Sequence, residues 1–188
     1  DGTGPTNALT MASKAVWAYY ADGRVRALGR GRPEFDGDGK QIMSMKIGLV
    51  GLGTMGVIMG KRLIETGHPL TVWNRTAGAG DELVKAGATM ADSAKAVAEA
   101  SDIVISIVSN ADASHEVICG PNGLLEGAHD GLVIIDSASI APESSQAHAA
   151  AGMEKGVPIL DAPVSGGPKV AAAGGLGIMV GGQEAAFK

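Results

Sequence analysis

The chain has 188 residues, a net charge of -5, 45% hydrophobic but only 3% aromatic residues, and 29 glycines; that balance suits one domain whose core is built from Ala, Val, Ile, Leu and Met. It carries no sustained Lys/Arg run to neutralise a nucleic-acid backbone, and no apolar stretch reaches the roughly 20 residues of a membrane helix or forms a signal-peptide core. Its single cysteine, Cys119, excludes an internal disulfide and a cysteine-rich zinc site, so the expectations are a reducing, cytoplasmic compartment and no metal, nucleic acid or membrane as partner.

Residues 1–44 mix Gly, Arg and Asp without a sustained period and are expected to be a disordered or artefactual extension, within which MASKAVWAYYA could form a short helix. Arg24, Arg26, Arg30 and Arg32 would suit a mitochondrial targeting segment, but Asp22, Glu34, Asp36 and Asp38 oppose that reading. Organised patterning begins after Met45, a plausible start.

From Lys46 onward short apolar runs alternate with helical stretches, as in a βαβ chain. KIGLVGL predicts a first strand and TMGVIMGKRLIETG a helix that Gly67 terminates. HPLTVWNR predicts a second strand, AGDELVKAGA a short helix, and DSAKAVAEA a helix capped by Asp92. The strand DIVISIV, the helix ADASHEVICG and the strand GLVIID follow. PESSQAHAAAGMEKG is a helix with Pro142 in its first turn, and VPILDAP and LGIMVGG supply two more strands. Runs apolar on both faces imply an α/β fold: a Rossmann-type, doubly wound, largely parallel sheet with helices on both sides. The expected divisions are an extension over 1–44, a dinucleotide-binding domain over 45–182, and the start of a further helix over 183–188.

Gly51, Gly53 and Gly56 form G-x-G-x-x-G directly after a strand and at the opening of a helix. The first glycine permits a tight turn, the second lets backbone approach a pyrophosphate, and the third allows close helix-strand packing. The helix N-terminus then offers amides and a positive dipole end to phosphates. An NAD site places an Asp or Glu at the end of the second strand, against the ribose hydroxyls. Here that stretch is Asn74-Arg75-Thr76. A guanidinium pairs with a 2'-phosphate that a carboxylate would repel, which predicts NADP(H) in preference to NAD(H).

Four segments occur in order: GLGTMGVIM (Gly51 to Met59), NRT (Asn74 to Thr76), DSASIAP (Asp136 to Pro142) and DAPVSGGPKVAAAGGLGIMVGG (Asp161 to Gly182). Together they resemble the β-hydroxyacid dehydrogenase family, which includes 3-hydroxyisobutyrate dehydrogenase and the tartronate and succinic semialdehyde reductases. The resemblance covers Lys46 to Lys188. It implies an oxidoreductase that moves hydride between a nicotinamide cofactor and a small hydroxy acid or semialdehyde. On that basis Gly51, Leu52, Gly53, Thr54, Met55 and Gly56 would wrap the pyrophosphate. Asn74, Arg75 and Thr76 would surround the adenosine ribose and its phosphate. Val108 and Ser109 would lie under the cofactor, Ser139 would touch the nicotinamide side, and Ser165, Gly166 and Gly167 would grip the substrate carboxylate.

Several positions depart from that family's pattern. Ser109 replaces a usual proline, Ala138 a common serine, and Val170 a glycine, where a β-branched residue sits poorly if φ is positive. His68, His115, His129 and His148 match no catalytic position and are read as surface or loop residues, while Cys119 is read as a small buried hydrophobe. The family's acid/base lysine, on the helix after MVGG, matches no residue here; Lys188 arrives too early. The resemblance therefore implies the cofactor-binding half of an enzyme, inactive or nearly so alone, with oligomers expected only of a full-length form. The rival readings are a 6-phosphogluconate dehydrogenase-like enzyme, a non-catalytic NADP-binding module, and a methyltransferase, which Arg75 disfavours.

Overall fold

The computed structural model describes residues 34–35, 41–42, 45–183 and 186. The short helix expected over 11–21, and most of the expected extension and terminal helix, lie outside the described residues. Within the first 44, β1 (Glu34–Phe35) and β2 (Gln41–Ile42) pair antiparallel, regular structure where none is expected.

The main body is a six-stranded parallel sheet in the order β5-β4-β3-β6-β7-β8. Its strands are β3 (Ile47–Val50), β4 (Leu70–Trp73), β5 (Thr89–Met90), β6 (Ile103–Ser106), β7 (Val133–Asp136) and β8 (Ile159–Asp161). Ile47 is in register with Leu70 on one side and Ile103 on the other. The chain thus builds outward from β3 to β5, then crosses β3 and builds outward again to β8. The direction reverses beside β3, which opens a crevice at the carboxyl ends of β3 and β6.

Alternation along the central strands serves two cores. Ile47, Leu49, Ile103 and Ile105 belong to one buried cluster with Met59, Leu63 and Leu83. The intervening Val50 and Val104 belong to a second, with Val97, Val117, Ile118 and Leu124. The helices sort accordingly. On the first face lie α1 (Thr54–Glu65) and α2 (Asp81–Lys85); on the second lie α3 (Ala94–Glu99), α4 (Ala111–Cys119) and a 3-10 turn over Leu124–Gly127. Each fully buried Leu or Ile contributes about 1.5–3 kcal/mol, so the two-sided apolar strands account for the doubly wound arrangement.

Local signals set most element ends. α1 stops as expected at Gly67, whose φ of +86° lets its amide and that of His68 return to the carbonyls of Ile64 and Leu63. α5 (Pro142–Glu154) opens with its proline at the start of the first turn. α3 is capped by Ser93, not Asp92: the Ser93 hydroxyl accepts from the Ala96 amide at 3.0 Å, while Asp92 lies one residue too early and is exposed.

The C-terminal motif folds differently from the expectation. VPILDAP supplies β8, but LGIMVGG leaves the main sheet. Its β10 (Gly177–Ile178) pairs antiparallel with β9 (Val164–Ser165), and Gly181 bridges back to Asp161. Between them stands an unanticipated α6 (Gly167–Ala172), packed on α1. The left-handed positions of the motif are all glycines, Gly166 and Gly167 at φ +130° and +69° before Val170 and Gly174 and Gly182 after it, while Val170 sits within the helix. The conflict expected at Val170 therefore does not arise.

Candidate functional site

The glycine turn divides three physical tasks among three residues. Gly51 ends β3 at φ +93°, held by its amide to the Trp73 carbonyl at 3.2 Å, and a Cβ there would run into the Ile107 carbonyl. Gly56 lies in the first turn of α1, where a Cβ would meet the Gly51 carbonyl oxygen. Gly53 is the reverse case. A Cβ on it meets no protein atom within 4 Å, and as the N-cap of α1 it provides no capping side chain. Two glycines let protein approach protein, and the third faces open space beside the first-turn amides.

That space belongs to a cleft of about 470 Å³ at the carboxyl ends of β3, β4 and β6. Of the residues singled out from sequence, the cleft brings together Gly51, Gly53, Asn74, Arg75, Thr76, Val108 and Ser109. Leu52 and Gly56 are buried and stand behind the lining. Thr54 is exposed and Met55 half-buried at the helix entrance, outside the lining. Ser139 and Ser165 to Gly167 are also outside it: Ser139 is exposed in the turn between β7 and α5, and Ser165 to Gly167 join β9 to α6.

Asn74 has a structural task that the sequence did not disclose. Its Oδ1 accepts from the Leu52 amide at 2.9 Å and its Nδ2 donates to the Thr76 carbonyl at 3.2 Å, tying the end of β4 to the glycine turn. Arg75 stands at the mouth of the cleft, where its guanidinium meets the Glu116 carboxylate of α4 at 2.9 Å; the two side chains are 73% and 58% exposed. A pair this exposed is worth about 0–1 kcal/mol, so the guanidinium is free to exchange partners. Glu116, Asp92, Ser93 and Asn122 line the cleft without having been singled out as site residues. Their helices and loops offer no local signal that β4 and β6 would carry them there.

A second polar cluster lies under α4 and α5. Asp136, buried at the end of β7, accepts from the Ser114 hydroxyl at 2.6 Å and from the His148 ring at Nδ1, 3.2 Å away. His148 is 2% exposed on α5, and His68 is 8% exposed in the turn after α1. His148 thus corrects the reading of all four histidines as surface or loop groups, and His68, although in a loop, is buried; the apolar elements covering them are distant in sequence. Burial holds the His68 ring below its ordinary pKa against an opposing backbone hydrogen bond with Met45. Burial, and then the charge of Asp136, raise both the Cys119 thiol and the Asp161 carboxyl; a hydrogen bond from Ser145 opposes the rise at Asp161.

A family model described as the NAD binding domain of 6-phosphogluconate dehydrogenase matches residues 46–188. The chain belongs to this NAD-binding family. It is 43% identical over 145 residues to 2-hydroxy-3-oxopropionate reductase of Escherichia coli strain K12, covering 77% of this chain and 49% of that protein. Among solved structures, Mycobacterium tuberculosis 3-hydroxyisobutyrate dehydrogenase with L-serine matches with a TM-score of 0.72 and 31% identity, covering 77% of this chain and 49% of that one. A complex with NADP+ and 2-OPP matches at a TM-score of 0.72 and 32% identity, covering 75% and 50%. The chain spans about half the length of the curated relatives it matches. These names agree with the resemblance carried by the four sequence segments, and the neighbours share the Rossmann-type sheet. Among the described residues, no helix is long and apolar enough to cross a membrane.

Proposed function

We propose that this NAD-binding family member takes NADP(H) in preference to NAD(H) and serves a 3-hydroxyacid dehydrogenase or semialdehyde reductase. The carrying observation is a glycine turn opening into the crevice beside β3 with a guanidinium, rather than a carboxylate, at the end of β4. The residues present fit a dinucleotide: Gly53 leaves room beside the uncapped first turn of α1, and Arg75 stands where an adenosine phosphate would arrive. Exchanging the exposed Glu116 carboxylate for a dianionic phosphate strengthens a charge-assisted contact at little cost. The solved neighbour that holds NADP+ supports the same choice.

In this reading the amides at the entrance of α1, within the Gly51 to Gly56 turn, hold the diphosphate, Asn74 and Thr76 flank the ribose beside Arg75, Val108 and Ser109 lie under the cofactor, and Ser139 touches the nicotinamide side. Ser165, Gly166 and Gly167 bind the substrate carboxylate with a hydroxyl and two amides unobstructed by Cβ atoms. The bound nicotinamide supplies the hydride chemistry to or from the carbonyl carbon of a small acid. A positioned proton donor contributes about 10²–10⁴ in rate, and no lysine of the chain stands in the family's acid/base position. Residues 1–188 alone therefore bind cofactor but turn over little or no substrate.

Titrating NADPH and NADH into the wild type and Arg75→Ala, followed by nucleotide fluorescence, tests the cofactor choice. Loss of the guanidinium is expected to weaken NADPH about tenfold or more and to leave NADH within about twofold. An unchanged preference refutes the assignment. Vigorous NADP-linked oxidation of 3-hydroxyisobutyrate by this chain would refute the inactivity.

A further inference from the structure

We infer that His115, Cys119 and His148 form a binding site for a zinc-class divalent cation that bridges α4 and α5, with Asp136 positioning His148. His115 and Cys119 are one helical turn apart on α4 and so project from the same face. That face meets α5, where the His148 ring stacks on His115 with centroids 5.7 Å apart and planes 23° from parallel. A ring nitrogen of each histidine and the Cys119 sulfur all lie within 4.8 Å of one another. Tetrahedral zinc, at about 2.0–2.1 Å from nitrogen and about 2.3 Å from sulfur, needs donors roughly 3.3–3.6 Å apart. Rotamer adjustments of about an ångström close that difference.

The surroundings of His148 point independently to a ligand. Its Nδ1 is engaged by the Asp136 carboxylate, itself fixed by the Ser114 hydroxyl at 2.6 Å, all three groups being buried. A ring that donates Nδ1–H to a carboxylate keeps Nε2 as a lone-pair donor in a set orientation, the arrangement that holds zinc-binding histidines. His115 is exposed and Cys119 half-buried, which leaves an entry path and room for water as a fourth ligand. Two imidazoles and one thiolate are the donors of a borderline cation; Mg²⁺ and Ca²⁺ prefer oxygen. The pairing is tertiary, because Cys119 and His148 stand 29 positions apart in the sequence.

Cobalt(II) makes the site visible. Added to the reduced chain, Co²⁺ alone is expected to give one thiolate-to-cobalt charge-transfer band and tetrahedral d–d absorption at one ion per chain, both bleached by Zn²⁺. Because Cys119 is the only cysteine, Cys119→Ser must abolish the charge-transfer band. His115→Ala changes an exposed side chain, so it keeps the wild-type circular dichroism while weakening Co²⁺ about tenfold or more. Asp136→Asn, checked for folding in the same way, is expected to weaken it about 10–100-fold with the band retained. Absence of the band in folded wild type, wild-type affinity in His115→Ala, or half an ion per chain through two shared thiols would each overturn the site.

Discussion

The glycine turn and the Asp136 cluster solve opposite problems. The turn is built from backbone, and its close approaches exist because side chains are missing at Gly51 and Gly56, where any Cβ would strike a carbonyl. The cluster is built from side chains, and its stability rests on each buried polar group having its partner: Asp136 holds Ser114 and His148 together. One region therefore fails by addition and the other by deletion. A backbone site also tolerates diversity at its non-glycine positions, whereas a buried polar network couples three elements, so that a change on α4, α5 or β7 is felt on the other two.

The largest expected effect tests the turn by addition. Gly56→Ala places a methyl against the Gly51 carbonyl, an atom that cannot move without breaking the turn. Unfolding in urea should show a loss of about 3 kcal/mol or more, with Gly51→Ala similar because strain at φ +93° adds to the clash. Stability within about 1 kcal/mol of wild type for either variant would remove the distinction between the two regions.

Deletion in the cluster comes next. Asp136→Ala strands the buried hydroxyl of Ser114 and the ring of His148, and about 2–4 kcal/mol should be lost in the same measurement. Gly53→Ala then sharpens the comparison within the turn itself. Its Cβ meets nothing in the protein, so stability should fall by no more than about 1 kcal/mol while NADPH affinity drops about tenfold, read by nucleotide titration. Wild-type affinity in that variant would mean that the open space is not where the diphosphate lies.

The smallest effect concerns pH. His68 is buried, and burial holds its pKa below the ordinary histidine value of about 6.5. The unfolded chain therefore takes up a proton that the folded chain resists, so this contribution to stability is complete above about pH 6.5 and declines as the pH falls below it. Melting temperatures from about pH 7.5 to pH 5 should fall less steeply for His68→Gln than for wild type. Parallel curves would show that the His68 environment does not disfavour its charge.

The sequence by itself determined most of the order of strands and helices from Lys46 to Asp161, though not the two-residue β5 or the 3-10 turn over Leu124–Gly127, together with the glycine turn and the guanidinium after β4. Each is written in contiguous residues: apolar runs of strand length, a proline at the start of α5, a glycine at the end of α1, and fixed spacing from Gly51 to Gly56. Backbone conformation at such places is a local property. The return of the last motif as β9, α6 and β10 was not legible, because two-residue strands lack a period and their pairing depends on neighbours supplied by β8 and α1. Only the tertiary structure decided that Glu116 meets Arg75, that Ser114, Asp136 and His148 share one buried network, and that His115 and Cys119 face His148. Those pairings depend on which helix covers which strand, and side chains far apart in the chain carry no mark of that until the sheet has brought them together.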